Sequence, residues 1–544
     1  MFEIGTATDY LDLLAKLDTF LTATGAAWAL SYAGTGNGTL TAYKGGASSI
    51  AETFVITATD ATHFSVVGST SGSLGTATAG VTFSHAKLTF LITVGGTAFV
   101  AGDAFSLSTA PPWTRKRGAP SASSTQWRVN IIATAGGLVP RLARVEMFDT
   151  LGGADQVTGG TATASSSNAS HLPADAADVN SATYWECGTP SGWWQYTFGS
   201  AKAIKEIAIT YPTGQANDNN GPADFRVEYF DGTSWVPAGS WRNDTGWVST
   251  ERRVYRLASY IWQAPGNGGT EQILVGVSPF QNAATGFYNW RLNGYTAYDA
   301  AADWFSQPGA IATASPYGPI IPLSNGSLGY WFVSNGRRVV GVVKSSSTYG
   351  AFYLGLIQPY ASPGQWPLPL FVGGALWWDV EPAFTDVRWT VGNAHTRHTC
   401  FPLPFSPLLN TAALIAVCGS ARLRKPDGTW RGFMARSDFY DPKEDANVLG
   451  RVWPYGYDFS NLKPDLDGLY PVYPVIYHEV NATGGDNWFG QPDGVFAVSG
   501  SGLSAEATLD ERLQAATATP KRTYVAFPDT TRATAGDFFA MLLD

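Results

Sequence analysis

The chain is punctuated by short turn signals set between aromatic and β-branched runs, and this pattern leaves few folds open to it. Asp231-Gly232 separates Phe225-Arg226-Val227-Glu228-Tyr229-Phe230 from Ser234-Trp235-Val236, and Asn335-Gly336 separates Tyr330-Trp331-Phe332-Val333 from the run Val339–Val343. Pro426-Asp427-Gly428 and Pro492-Asp493-Gly494 each precede an aromatic-containing run. Glycine takes up the positive φ of a tight turn without steric cost, so these dipeptides mark β-hairpins. Short strands joined this way predict sandwiches or barrels and not βαβ units. Composition points the same way. Charged residues make up 14% and aromatics 13% of the 544 residues, with 60 Gly. That balance is the reverse of a disordered chain, and scarce Lys and Glu beside abundant Gly and Thr disfavour helices. The expected fold class is mostly β: a multi-domain β-sandwich protein with a short N-terminal helix.

Five segments follow. Residues 1–24 read as an amphipathic helix, because Tyr10, Leu13, Leu14, Leu17, Phe20 and Leu21 recur at three- and four-residue spacing. Thr6 with Asp9 three residues later resembles a capping box. Such a helix must bury its apolar face against its own chain or a neighbouring subunit, and both remain open. Residues 25–112 read as a small β domain, and 113–159 as a linker and strand segment whose Arg115-Lys116-Arg117 triplet is a solvated run. Strands and turns fill 160–262. The remainder, 263–544, is β-rich, with a short helix expected over 505–516, where Leu509 and Leu513 share a face.

Several function classes are disfavoured. Thirty-four Lys+Arg against 43 Asp+Glu gives a net charge of −9, so nucleic acid is not an expected partner. Three cysteines, Cys187, Cys400 and Cys418, build no disulfide framework and suggest folding in a reducing compartment. The acidic N-terminal residues Glu3, Asp9 and Asp12 do not resemble a secretory signal. Ser345–Trp378 carries no charge, but Pro359, Pro363, Pro367 and Pro369 break it, so no membrane span is expected. No nucleophile elbow, phosphate loop or H-E-x-x-H occurs. His395, His398, Cys400 and Cys418 are zinc-ligand types in a spacing that fits no standard site. Asp379 with Glu381, and Asp438, Asp441, Glu444 and Asp445, are acid groups of the kind glycosidases pair. Surface acids arise at such spacing often, and the chain is expected to act by binding and not as an enzyme.

Residues 160–262 resemble a discoidin-type (coagulation-factor C-type) β-sandwich, a fold shared by many carbohydrate-binding modules. The resemblance rests on Ala177-Asp178-Val179-Asn180, Thr183-Tyr184-Trp185, Trp194-Gln195-Tyr196-Thr197-Phe198-Gly199, the run Asp224–Trp235 and Arg253-Val254-Tyr255-Arg256-Leu257. It implies a jelly-roll with its binding site in loops at one end, here Ser165–Asn180, Thr213–Pro222 and Ser240–Thr250. Those loops offer His171, Asn217, Asp218, Asn219, Trp241, Arg242 and Trp247 for carbohydrate: an aromatic face for the sugar ring and side chains for its hydroxyls. The competing reading makes Trp241 and Trp247 packing residues and the Asn/Asp run a solvated turn. The resemblance also implies a structural Ca²⁺ on Asp178, Asn180 and Thr183, although Val179 replaces the usual Gly and no acid lies between Val254 and Trp262. No other cofactor is expected.

The flanking regions are similar to tailed-bacteriophage virion proteins in the segments Thr97–Phe105, Gln272–Val277, Tyr288–Gly294 and Tyr330–Arg338. This resemblance implies a structural component of a tail or baseplate, of tail-fibre or tip type, made in the host cytoplasm and carried in the virion. Its implied partners are other virion proteins, further copies of itself (a trimer by analogy) and a host-surface glycan such as lipopolysaccharide. Two rivals stay open: a purely architectural subunit, and a glycan-degrading tailspike.

Overall fold

The computed structural model describes residues 2–23, 27–45, 52–110, 113–118, 122–215, 218–242, 244–264, 273–282, 287–311, 319–362, 364–374, 420–433, 450–453, 470–480, 486–499, 501–510, 523–528 and 538–543. The protein is mostly β, in many antiparallel sheets, with one α-helix among the described residues. Asn217, Asp379, Glu381, His395, His398, Cys400, Cys418, Asp438, Asp441, Glu444 and Asp445 lie outside the described residues.

The helix occupies Tyr10–Thr22, not the whole of 1–24. Its N-cap is Asp9, whose Oδ1 accepts from the backbone N–H groups of Leu11 and Asp12 at 2.8 and 2.9 Å. Thr6 plays no part in this cap, because Phe2–Ala7 is a strand paired antiparallel with Leu328–Ser334. The apolar helix face is buried within its own chain, and the Trp290 indole N–H donates to the Tyr10 carbonyl at 2.9 Å. Each leucine so buried contributes about 2 kcal/mol. Asp18, only 5% exposed, accepts from Trp262 Nε1 at 2.8 Å and is paired with Arg115. Arg115 thus anchors its strand to the helix while its side chain stays half-exposed within the solvated run.

The helix belongs to a body of three layers. In its central sheet Tyr330, Phe332, Val339, Val343 and Phe352 face one core, shared with the helix and the sheet of Thr114–Arg117, Tyr260–Ala264, Ile273–Asn282, Phe287–Tyr295 and Ile320–Leu323. Trp331, Val333, Val340, Val342 and Tyr353 face a second core, shared with the sheet that includes Val495–Val498, Thr523–Pro528 and Phe538–Leu542. Burial on both faces explains why these strands read as unbroken apolar runs and not as alternation. Thr348–Leu356 continues into Gln358–Pro359, which pairs with the distant strand Asp486–Gln491, so the central sheet curls back on itself. The helix expected over 505–516 is absent from its described part: Thr508–Asp510 is an edge strand on Thr523–Pro528, with Leu509 buried. Residues 511–516 are outside the described set.

Two excursions leave this body and return to where they started. Residues 27–110 form sheets of five and three strands around their own core of Phe54, Ile56, Phe64, Phe90 and Leu107 among others. The chain then rejoins the body beside the helix end, with the Trp113 N–H donating to the Leu21 carbonyl at 2.9 Å. The second excursion leaves after Thr114–Arg117 and returns at Tyr260–Ala264, and these two strands are antiparallel neighbours. Between them a five-stranded and a three-stranded sheet enclose a core running from Trp127 to Leu257. This sandwich starts well before residue 160. Ser124–Thr134 pairs with both Gly192–Lys202 and Pro222–Phe230 in the larger sheet, and Arg144–Phe148 pairs with Glu206–Thr210 in the smaller. The segment read as linker and strand thus supplies an interior strand of this sandwich, whose Trp127, Val129 and Ile131 alternate into the core.

Among the described residues no helix is long and apolar enough to cross a membrane.

Candidate functional site

Three loops meet at one end of the second sandwich. The Thr213 hydroxyl donates to the Ser181 carbonyl at 3.1 Å, the Gly214 N–H to Ser249 Oγ at 2.9 Å, and the Gly246 N–H to Asp218 Oδ2 at 2.6 Å. The loops named from the sequence are therefore neighbours, joined by their own backbone and side-chain hydrogen bonds.

His171 stacks on Tyr184 with ring centroids 4.0 Å apart and planes 14° from parallel. Arg141 lies over the Tyr184 ring at 5.4 Å, donates to Glu186 Oε2 at 2.5 Å and reaches Gln215 Oε1 at 2.6 Å. Asn168 Nδ2 donates to the other oxygen of Glu186 at 2.6 Å. Local pairing builds this arrangement: Arg141 and Glu186 are cross-strand partners in the short ladder Arg141–Leu142/Trp185–Glu186, and Asn168 bridges to His171. Burial pushes the Glu186 carboxyl upward, but its bonds to Asn168 and Arg141 outweigh that, so it is held below the ordinary carboxylate range. An ionised carboxylate, a guanidinium, an amide and two stacked rings share one half-buried patch. That inventory can both donate to and accept from a polyhydroxyl ligand, and it offers a ring face to C–H groups. Of this group only His171 is among the loop residues expected to contact carbohydrate. The signal for Tyr184 is its place beside the fully buried Trp185, whereas Glu186, buried at 7% exposure, and the distant Arg141 and Asn168 carry no local signal.

The other named residues divide. Trp247 is 2% exposed, with its indole N–H donating to the carbonyls of Pro222 and Asp244. Trp241 is 7% exposed and stacks on Phe225 inside the same core. Neither ring presents a face to a sugar, so both are packing residues. Arg242 turns toward the body, donating to Ser306 Oγ at 2.8 Å with Asp303 at 3.8 Å and the Phe305 ring at 5.1 Å. Asp218 is held by Gly246, and the Asn219 carbonyl accepts from Gly136, so both brace loops at this end. Beneath them the Tyr255 hydroxyl and Arg253 donate to Asp244 at 2.5 and 2.6 Å, and Arg253 covers the Trp247 ring at 4.2 Å. Burial pushes the Asp244 carboxyl up and the Tyr255 phenol well up.

Asp178, Asn180 and Thr183 do come together, but as a turn that closes on itself. Thr183 Oγ1 donates to Asp178 Oδ2 at 2.9 Å, while Asp178 Oδ1 accepts from the Asn180 N–H at 2.7 Å and Asn180 Oδ1 from the Ala182 N–H at 3.1 Å. Calcium takes six to eight oxygen ligands, drawn from carboxylates, carbonyls and waters. This set supplies one carboxylate, which accepts the turn's own hydrogen bonds. Among the described residues no group of three or more His, Cys, Asp and Glu side chains is placed to hold a metal.

No protein-family model matches this chain, and no curated protein matches it.

Proposed function

We propose that this protein is a structural subunit of a bacteriophage tail or baseplate, of fibre or tip type, that attaches to a host-surface glycan through the discoidin-like sandwich at 124–257. The attachment role is supported by one observation above the rest: the stacked His171–Tyr184 pair beside the Arg141–Glu186–Asn168 group, at the end of a module joined to the body by two adjacent strands. Virion membership rests on the similarity of Thr97–Phe105, Gln272–Val277, Tyr288–Gly294 and Tyr330–Arg338 to tail proteins. The protein acts by binding. Self-assembly would multiply weak single-site affinities into avidity.

The test is binding of the full chain to lipopolysaccharide from susceptible cells. Saturable binding lost in Tyr184→Ala and His171→Ala, and unchanged by EDTA, is the expected result. Binding unaffected by both substitutions overturns this site.

A second reading, the purely architectural subunit, is favoured by the way Arg242 and Arg226 of the sandwich converge on Asp303 of the body. Particles that adsorb normally after deletion of 122–258 would select it.

A further inference from the structure

We propose that the outer face of the larger sandwich sheet is a second binding surface, for a neutral, hydroxyl-rich glycan chain, centred on Arg128, Trp193 and Trp235. Along Gly192–Lys202, Trp194 and Tyr196 enter the core, which turns Trp193, Gln195 and Thr197 to the opposite face. Along Ser124–Thr134, Trp127 and Val129 enter the core and Arg128 and Asn130 turn outward. Strand register then sets Arg128 opposite both Gln195 and Glu228, and Asn130 opposite Trp193. The Arg128 guanidinium lies 4.1 Å from the Trp235 ring centre and 5.9 Å from that of Trp193, and its Nε donates to Glu228 Oε2 at 2.6 Å. Both indoles are half-buried.

The chemistry of this surface selects its ligand. Two tryptophan rings supply apolar faces for C–H groups, and Asn130 and Gln195 supply amide donors and acceptors. Arg128 and Glu228 neutralise each other, so an anionic or cationic ligand would have to compete with an intact ion pair. A hydroxyl both donates and accepts, and it can bond beside the pair without breaking it. On the same face Arg226, opposite Asn130, is taken up by Asp303 of the body, so the surface open to a ligand is the part built by Ser124–Thr134 and Gly192–Lys202 with Trp235 at its edge. Arg128 lies mid-strand and Trp235 beside the Asp231–Ser234 turn, at the opposite end of Pro222–Phe230 from the loops that carry Arg141, His171 and Tyr184, so this surface does not rest on the loop site.

The test is affinity electrophoresis of the full chain through gels containing dextran, a galactomannan or a soluble β-glucan, with polygalacturonate as the charged control. The expected result is retardation by at least one neutral polysaccharide, weakened tenfold or more in Trp193→Ala and Trp235→Ala, retained in Tyr184→Ala and unaffected by polygalacturonate. Gln195→Ala, which leaves the core untouched, weakens it as well and carries the test if a tryptophan variant unfolds. No retardation in any neutral gel overturns the proposal. So does retardation indifferent to all three substitutions, or retardation lost in Tyr184→Ala alone, which would return the binding to the loop end.

Discussion

The backbone N–H of Trp113 donates to the carbonyl of Leu21, 92 positions earlier in the chain, at 2.9 Å. The Trp113 indole is buried in the helix-side core and donates to Ser334 Oγ at 3.0 Å. The body is thus continuous across the gap that residues 27–110 span, and the first module hangs from two adjacent points. Chain ends that lie together are what allow a domain to be inserted, or removed, without disturbing its host.

Replacing residues 25–111 by a short Gly/Ser linker should therefore leave the remaining chain folded. Its thermal unfolding should stay cooperative, and its midpoint should lie within a few degrees of the parent transition. Loss of cooperative unfolding would mean that the module contributes to the body's stability beyond its two points of attachment.

Asp18 ties helix, sheet and the start of the second excursion together through Arg115 and Trp262. Asp18→Asn removes the charge while keeping an acceptor for the indole, and should cost about 1–2 kcal/mol because Arg115 is half-exposed and can be rehydrated. Asp18→Leu also strands the buried indole N–H and should cost about 3 kcal/mol. Urea denaturation of both variants measures the difference.

Trp247→Ala should destabilise the sandwich by about 3–5 kcal/mol, the usual cost of emptying a buried indole site. Tyr184→Ala, on the half-buried loop patch, should change stability by less than about 1 kcal/mol while abolishing lipopolysaccharide binding. Paired melting and binding curves separate the packing residue from the contact residue.

The first module should weaken in acid. Asp103 accepts from the N–H groups of Val100, Thr35 and Gly36, and these bonds hold its carboxyl at about 2. An unfolded aspartate titrates near ~3.9, so the stabilisation is complete above that pH and is lost as pH falls through about 2. Asp60 is held at about 2 by the Thr62 and His63 backbone and by the His63 ring, and acts in the same direction. Asp103→Asn should flatten the fall in melting temperature between pH 4 and pH 2, with the Asp60 share remaining.

Asp303, 1% exposed, is one point where body meets sandwich, facing Arg226 at 3.2 Å and Arg242 at 3.8 Å. Asp303→Ala leaves both guanidiniums without this carboxylate. Calorimetry should then resolve separate transitions for sandwich and body, shifted apart by several degrees, where the parent protein shows overlapping ones.

Local features were legible in the sequence because local forces produce them. Gly232 and Gly336 adopt positive φ at the turns that their Asp-Gly and Asn-Gly pairs announce, and the apolar spacing of Tyr10 to Leu21 marks the buried helix face. Other features depend on partners far away in the chain. Nothing near Trp241 or Trp247 tells that Phe225, Tyr211 and Tyr255 cover them, and nothing near Arg242 tells that Asp303 receives it. Arg115 reads as a solvated charge until Asp18 is brought against it. Composition and periodicity determined that this chain would be β, where it would turn and which helix face would be buried. Tertiary structure decided which tryptophans are core and which are surface, because that depends on strand register and loop closure, and both are set by contacts between residues tens to hundreds of positions apart.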